Sequence, residues 1–111
     1  MQRRIPGYIN KTYYAYIATN QRNTVLYTGI TSNLIGRMFQ HENKVVESFT
    51  SKYNVNKLVF YEIFSNPQDA IAGEKRIKGW TRQKKISLIN KTNPEFKDLL
   101  CEYQDHSLRS G

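Results

Sequence analysis

Two aromatic and β-branched runs separated by a short polar stretch do most to limit what this chain can fold into. Tyr13 to Thr19 reads Tyr-Tyr-Ala-Tyr-Ile-Ala-Thr and Val25 to Gly29 reads Val-Leu-Tyr-Thr-Gly, with Asn20-Gln-Arg-Asn23 between them. Side chains of this kind fit a pleated, half-buried surface, and polar turn formers between two such runs specify a hairpin. With Asn20 to Asn23 as a four-residue loop, Thr19 opposes Thr24, and Tyr16 opposes Tyr27 on one face of the sheet. A slip of one residue would put the two tyrosines on opposite faces.

The rest of the chain supplies helices and one more strand. Ser32 or Asn33 can cap a helix from about Leu34 to Lys44, with Leu34, Ile35, Met38 and Val45 as its apolar stripe and Gly36 weakening it. Lys57 to Phe64 reads as a third strand. Asn66-Pro67-Gln68-Asp69 then provides a cap, a first-turn proline and a first-turn acid for a helix from Pro67 to about Trp80. A last helix from about Arg82 to Asn90 turns Ile86 and Ile89 inward, and Asn93-Pro94 ends it. The expected fold class is α+β, a small three-stranded antiparallel sheet flanked by helices. Residues 1–12 read as a basic arm, residues 13–100 as the folded domain, and residues 101–111 as a tail.

At 111 residues there is room for one core of ordinary domain size. The 17 Lys and Arg residues against 9 Asp and Glu leave a net charge of +8, which favours a polyanionic partner, nucleic acid first. A transmembrane helix needs roughly 18 consecutive apolar residues and no stretch supplies them, so the expectation is a soluble, cytoplasmic protein with no membrane partner. One cysteine and two histidines make a disulfide impossible within the chain and a structural zinc site unexpected.

Several side chains could carry chemistry. Glu74 interrupts the helix stripe formed by Ala70, Ile77 and Thr81, so its carboxylate needs a cation, a metal or hydrogen bonds. The helix alone favours an ion pair over a metal. Arg37 and His41 stand four residues apart, on one side of their helix, where a guanidinium fork and an imidazole suit phosphate and water; each alone is more often a solvated surface residue. Tyr16 and Tyr27 can pack as ordinary sheet residues, or one phenol can take a proton from water if cations lower its pKa. Lys75, Arg76, Lys78, Arg82, Lys84, Lys85 and Lys91 form an almost acid-free run around Trp80, fit for a phosphate backbone or simply for solubility. No Gly-rich phosphate loop, H-E-x-x-H or G-x-S-x-G motif is present.

Taken in order, these residues resemble the GIY-YIG nuclease domain. Tyr14-Ala15-Tyr16 matches the first motif and Tyr27-Thr28-Gly29 the second. Arg37 and His41 follow on the next helix, and Glu74 lies in Ala70-Ile-Ala-Gly-Glu-Lys75. Tyr14 and Ala15 stand where glycine and isoleucine name the first motif, and Thr28 where isoleucine stands in the second. Phe49-Thr-Ser-Lys-Tyr53, Leu58-Val-Phe-Tyr-Glu62, Glu74-Lys-Arg-Ile-Lys-Gly-Trp80 and Asn93-Pro94 resemble the small stand-alone bacterial members.

The resemblance implies a divalent-metal-dependent endonuclease acting on DNA. By that likeness Glu74 binds Mg²⁺ or Mn²⁺, Arg37 neutralises phosphate charge, Tyr16 or Tyr27 is the general base, and His41 orients the tyrosine and water or the phosphate. Lys75, Lys78, Arg82, Lys84 and Lys85 would contact nucleic acid, with Lys52 and Tyr53 as lesser contacts and Asn90 as a candidate for the asparagine some members use near the metal. Two rival readings remain: a nucleic-acid-binding module of the same fold without turnover, and a subunit that positions another nuclease.

Overall fold

The computed structural model describes residues 11–43 and 53–100. The basic arm, Lys52 and the tail from Cys101 onward lie outside the described residues, as does the side chain of His41. Within them the chain order is β1 (Tyr13–Thr19), β2 (Leu26–Thr31), α1 (Leu34–Asn43), β3 (Lys57–Phe64), α2 (Pro67–Lys78) and α3 (Arg82–Thr92). The three strands form one antiparallel sheet in the order β2-β1-β3. The fold is α+β, with helices covering both faces, and no described helix is long and apolar enough to cross a membrane.

Because β1 is central and covered on both faces, it is buried from Tyr14 to Thr19 and has none of the apolar–polar alternation of a one-sided strand. Tyr14, Tyr16 and Ala18 pack with Leu34 and Met38 of α1, while Ile17 packs on the other face with Ile77 of α2 and Ile89 of α3. A bulge between Ile17 and Ala18 in the β1–β3 ladder lets Leu58 join the first cluster while Val59 and Phe60 both join the second.

The hairpin differs from the register expected of it. Thr19 pairs with Leu26, Tyr16 with Gly29 and Ala18 with Tyr27, a shift of two residues that leaves six residues in the connection. The cause is local. Asn20 Oδ1 accepts from the backbone N–H groups of Thr24 (2.8 Å) and Val25 (3.2 Å), its Nδ2 donates to Thr24 Oγ1 (2.7 Å), and Thr19 Oγ1 donates to Val25 O (2.6 Å). These bonds take Thr24 and Val25 out of the ladder and into the turn, where Asn23 adopts a left-handed φ of 59° that asparagine tolerates. A two-residue shift preserves the face, so Tyr16 and Tyr27 still share one.

The helices begin where expected and end slightly differently. Asn33 caps α1, its Oδ1 accepting from Gly36 N at 3.0 Å, and Asn66 caps α2, accepting from Asp69 N at 2.8 Å. Helix α2 stops at Lys78 with Gly79 as its C-cap, rather than at Trp80. Thr81 is an exposed N-cap for α3, accepting from Lys84 N at 3.2 Å, and not a stripe residue of α2. Helix α3 runs on to Thr92, two residues beyond Asn90, and of its expected inward pair Ile89 is buried and Ile86 half-buried.

Candidate active site

At Gly29 the absence of a side chain shapes the site. Tyr16 stands directly across from it, and a Cβ at position 29 would meet Tyr16 Cζ and Oη at 2.6 Å. The Tyr16 ring therefore lies over the Gly29 backbone, reaching toward the outer edge of β2. Tyr27, diagonal to Tyr16, presents its ring at 6.2 Å between centroids and 49° between planes. Tyr16 is fully buried and Tyr27 half-buried, so Tyr27 is the more exposed of the two.

Two helices bring charge to this pair. Helix α1 carries Arg37, whose guanidinium acts on the Tyr16 phenol. Helix α2 packs against all three strands and is drawn close at Gly73, where a Cβ would meet the Phe64 ring at 2.7 Å. The buried stripe of α2 is Ala70, Gly73 and Ile77; Glu74, next to Gly73, lies at its margin and not at its centre. Its side chain is 13% exposed, its carboxylate acts on the Tyr16 phenol, and Oε2 lies 3.5 Å from Lys78 Nζ one helical turn on. The ion pair expected from the helix pattern is thus present beside the tyrosines.

Burial pushes the Tyr16 phenol up to about 12. The Tyr27 phenol and, less strongly, the Glu74 carboxylate push the same way, while the Arg37 guanidinium pulls against them through its charge and its hydrogen bond. As it stands, Tyr16 holds its proton and is a poor acceptor from water.

Among the described residues no three His, Cys, Asp or Glu side chains gather as a metal-binding group. Glu74 is nevertheless a hard oxygen donor in a half-sheltered place, near enough for its charge to act on the Tyr16 phenol. That donor set fits a small divalent ion that keeps much of its water and takes further oxygens from a phosphate.

The remaining candidates are dispersed. Lys75, Arg82 and Lys84 are exposed and Lys85 half-buried, but Arg76 turns to Glu62 at 3.2 Å and Lys84 Nζ sits 4.5 Å from the Trp80 ring centroid. Asn90 is exposed on α3. The asparagine that α3 engages structurally is Asn93, buried, donating through Nδ2 to Val59 O (3.1 Å) and Lys97 O (2.8 Å) and accepting from Lys97 N (3.0 Å). In sequence Asn93 reads as a helix stop and, with Pro94, as part of the family resemblance; an asparagine before proline gives no sign of a cross-chain partner.

A model of the GIY-YIG catalytic domain matches residues 12–87. The chain belongs to the GIY-YIG family. It therefore carries the domain of a nuclease family whose members are generally endonucleases. Among its relatives, a UPF0213 protein of Clostridium perfringens is 38% identical over 77 residues, which span 69% of this chain and 82% of that one. A UPF0213 protein of Pediococcus pentosaceus is 32% identical over 87 residues, 78% of this chain and 90% of that one. The solution structure of a UPF0213 protein of Bacillus halodurans shares the fold, with a TM-score of 0.50 and 23% identity over 78% of this chain and 92% of that chain. The small stand-alone bacterial members of the GIY-YIG family are thus its relatives in both sequence and fold.

Proposed function

We propose that this chain is a divalent-metal-dependent endonuclease that hydrolyses phosphodiester bonds of DNA in the cytoplasm. The observation that carries the reading is the convergence, at the β2 edge of the sheet, of Tyr16, Tyr27, Arg37 and Glu74 from two strands and two helices. A basic DNA-binding surface needs no buried phenol under the influence of both a guanidinium and a carboxylate.

Each side chain has a task suited to its surroundings. Tyr27, the less buried of the two tyrosines, takes the proton of the attacking water. Tyr16 keeps its proton and, through its interaction with Arg37, holds the guanidinium toward the scissile phosphate, where it neutralises developing charge. Glu74 would hold Mg²⁺ or Mn²⁺, which when bound supplies charge neutralisation at the phosphate and the leaving oxygen. His41, one turn beyond Arg37 on α1, is proposed to orient the water or the phosphate, and Asn90 has no part in the reaction.

One observation favours a second reading, that of a DNA-binding module without turnover. Lys78 sits 3.5 Å from Glu74 and satisfies its charge with no metal at all. A single experiment separates the two: incubate the protein with single-stranded, duplex, flapped and branched DNA in Mg²⁺ or Mn²⁺ and measure both binding and cleavage. Metal-dependent strand breaks on at least one substrate are expected. Binding without cleavage on every substrate would leave the module reading, and neither binding nor cleavage would leave a subunit that positions another nuclease.

A further inference from the structure

The basic residues after Glu74 do not form one face. Arg76 is turned to β3 and paired with Glu62 at 3.2 Å. Lys78 instead follows Glu74 on the same side of α2, about 6 Å further along the axis. Beyond Gly79 the chain reaches Arg82, whose Nη2 donates to Asn23 O in the β1–β2 turn at 3.0 Å. That bond joins two segments distant in sequence and sets the hairpin turn against the start of α3.

The turn is well braced. Asn20 organises it through bonds to Thr24 and Val25, and Asn23 N donates to Asn20 O at 3.0 Å. Arg22, next to Asn23, is exposed, and no described carboxylate pairs with it. The described carboxylates other than Glu74 are engaged elsewhere: Glu62 with Arg76, Asp69 with Asn66, Glu95 with Lys97, and Asp98 with the backbone of Leu58 and Leu100. The first turn of α3 has no acid and contributes Lys84. From Glu74 to the hairpin tip the surface is therefore cationic, and it is built from two segments.

We infer that the β1–β2 turn is a phosphate-binding wall of the site. A DNA strand whose scissile phosphate lies at Glu74 leaves past Lys78 and crosses the turn, where Arg22 and Lys84 contact its backbone. These are contacts of point charges and an arginine fork to phosphate oxygens, so they fix the path and register of the strand without reading its sequence. The inference rests on the nuclease reading, because that reading puts the scissile phosphate at Glu74. Arg82 contributes by holding the turn in place, and Arg22 is a contact residue that the helix-centred reading of the basic run does not include.

The test uses Arg22→Ala and Arg22→Lys in the full chain, with binding to a DNA oligonucleotide measured against salt concentration in EDTA. Arg22 lies at an exposed turn position and donates no described hydrogen bond, so its replacement leaves the fold intact. Arg22→Ala should weaken binding by about three- to tenfold and lower the salt slope by about 0.7–0.9, the loss of one phosphate contact, while Arg22→Lys restores most of both. A single methylphosphonate moved along the strand should weaken the parent at one or two linkages on one side of the cleaved bond and leave Arg22→Ala unaffected there. An unchanged affinity and slope in Arg22→Ala, or sensitivity spread evenly over both sides, overturns the wall. If the Arg22 dependence appears but no strand is ever cut, phosphate binding at the turn is kept, and the nuclease reading fails together with the turn's role as a wall of its site.

Discussion

Tyr16 and Gly29 face each other across β1 and β2, and the tyrosine ring occupies the space that any side chain at 29 would need. The glycine of the second motif is thus a steric partner of the tyrosine of the first. Gly29→Ala must push the ring off the strand. Overpacking of this kind costs about 1–3 kcal/mol. Chemical denaturation should show a loss in that range and cleavage should fall with it. A Gly29→Ala variant as stable and active as the parent would mean the ring is not held over the strand.

Glu74→Gln separates the metal reading from the ion-pair reading. An i, i+4 pair with a lysine 64% exposed is worth at most about 0.5 kcal/mol, so stability should hardly change. Cleavage should drop by orders of magnitude while DNA binding persists, because a neutral amide holds a hard divalent cation poorly. Lys78→Ala should act in the opposite sense on metal, tightening Mn²⁺ binding measured without DNA. Equal cleavage by Glu74→Gln and the parent at the same Mg²⁺ concentration would remove Glu74 from the reaction.

The two tyrosines should respond differently to loss of the hydroxyl. Tyr27→Phe keeps the ring against the core and should lower cleavage by about 10²–10⁴-fold, the usual contribution of a positioned base. Tyr16→Phe should cause a smaller loss, by leaving Arg37 without its phenol partner. Normal cutting by Tyr27→Phe together with an inactive Tyr16→Phe would move the base to Tyr16.

Tyr16 also predicts a pH effect. Its pKa is raised on folding from 10.0 to about 12, so its contribution to stability is present below pH 10 and is lost as pH rises through about 12. Two pH units correspond to on the order of 2–3 kcal/mol. Phenolate absorbance in an alkaline titration should show a step near pH 12 that accompanies unfolding, and Tyr16→Phe should lack that step and its share of the stability loss. Tyr16→Phe with an alkaline profile identical to the parent's would rule this out.

Thr28 stands where the second motif of the family has an apolar residue, and its buried hydroxyl has no hydrogen-bond partner among the described residues. A buried polar group left unpaired costs about 1–3 kcal/mol. Thr28→Val, nearly the same shape, should be neutral or stabilise the fold by about 1 kcal/mol in thermal denaturation. A marked loss of stability would show that the hydroxyl has a partner, such as a bound water.

Local chemistry determined much of this molecule. The hairpin, the third strand, the Asn33 and Asn66 caps and the order of the elements follow from side-chain periodicity and turn formers, which act over a few residues and so are written in neighbouring letters. The positions of Tyr16, Tyr27, Arg37 and Glu74 could be named for the same reason, each being an exception to a local pattern or part of a motif. Register and reach were decided by the tertiary structure. Which strand residue Tyr16 faces depends on how Asn20 closes its turn, and a side chain making three bonds at once can shift a ladder by two residues without altering the pattern. Arg82 on Asn23 O and Asn93 under Val59 are contacts between segments far apart in the chain. No periodicity encodes them, because each depends on where two separately formed elements meet once the core is packed.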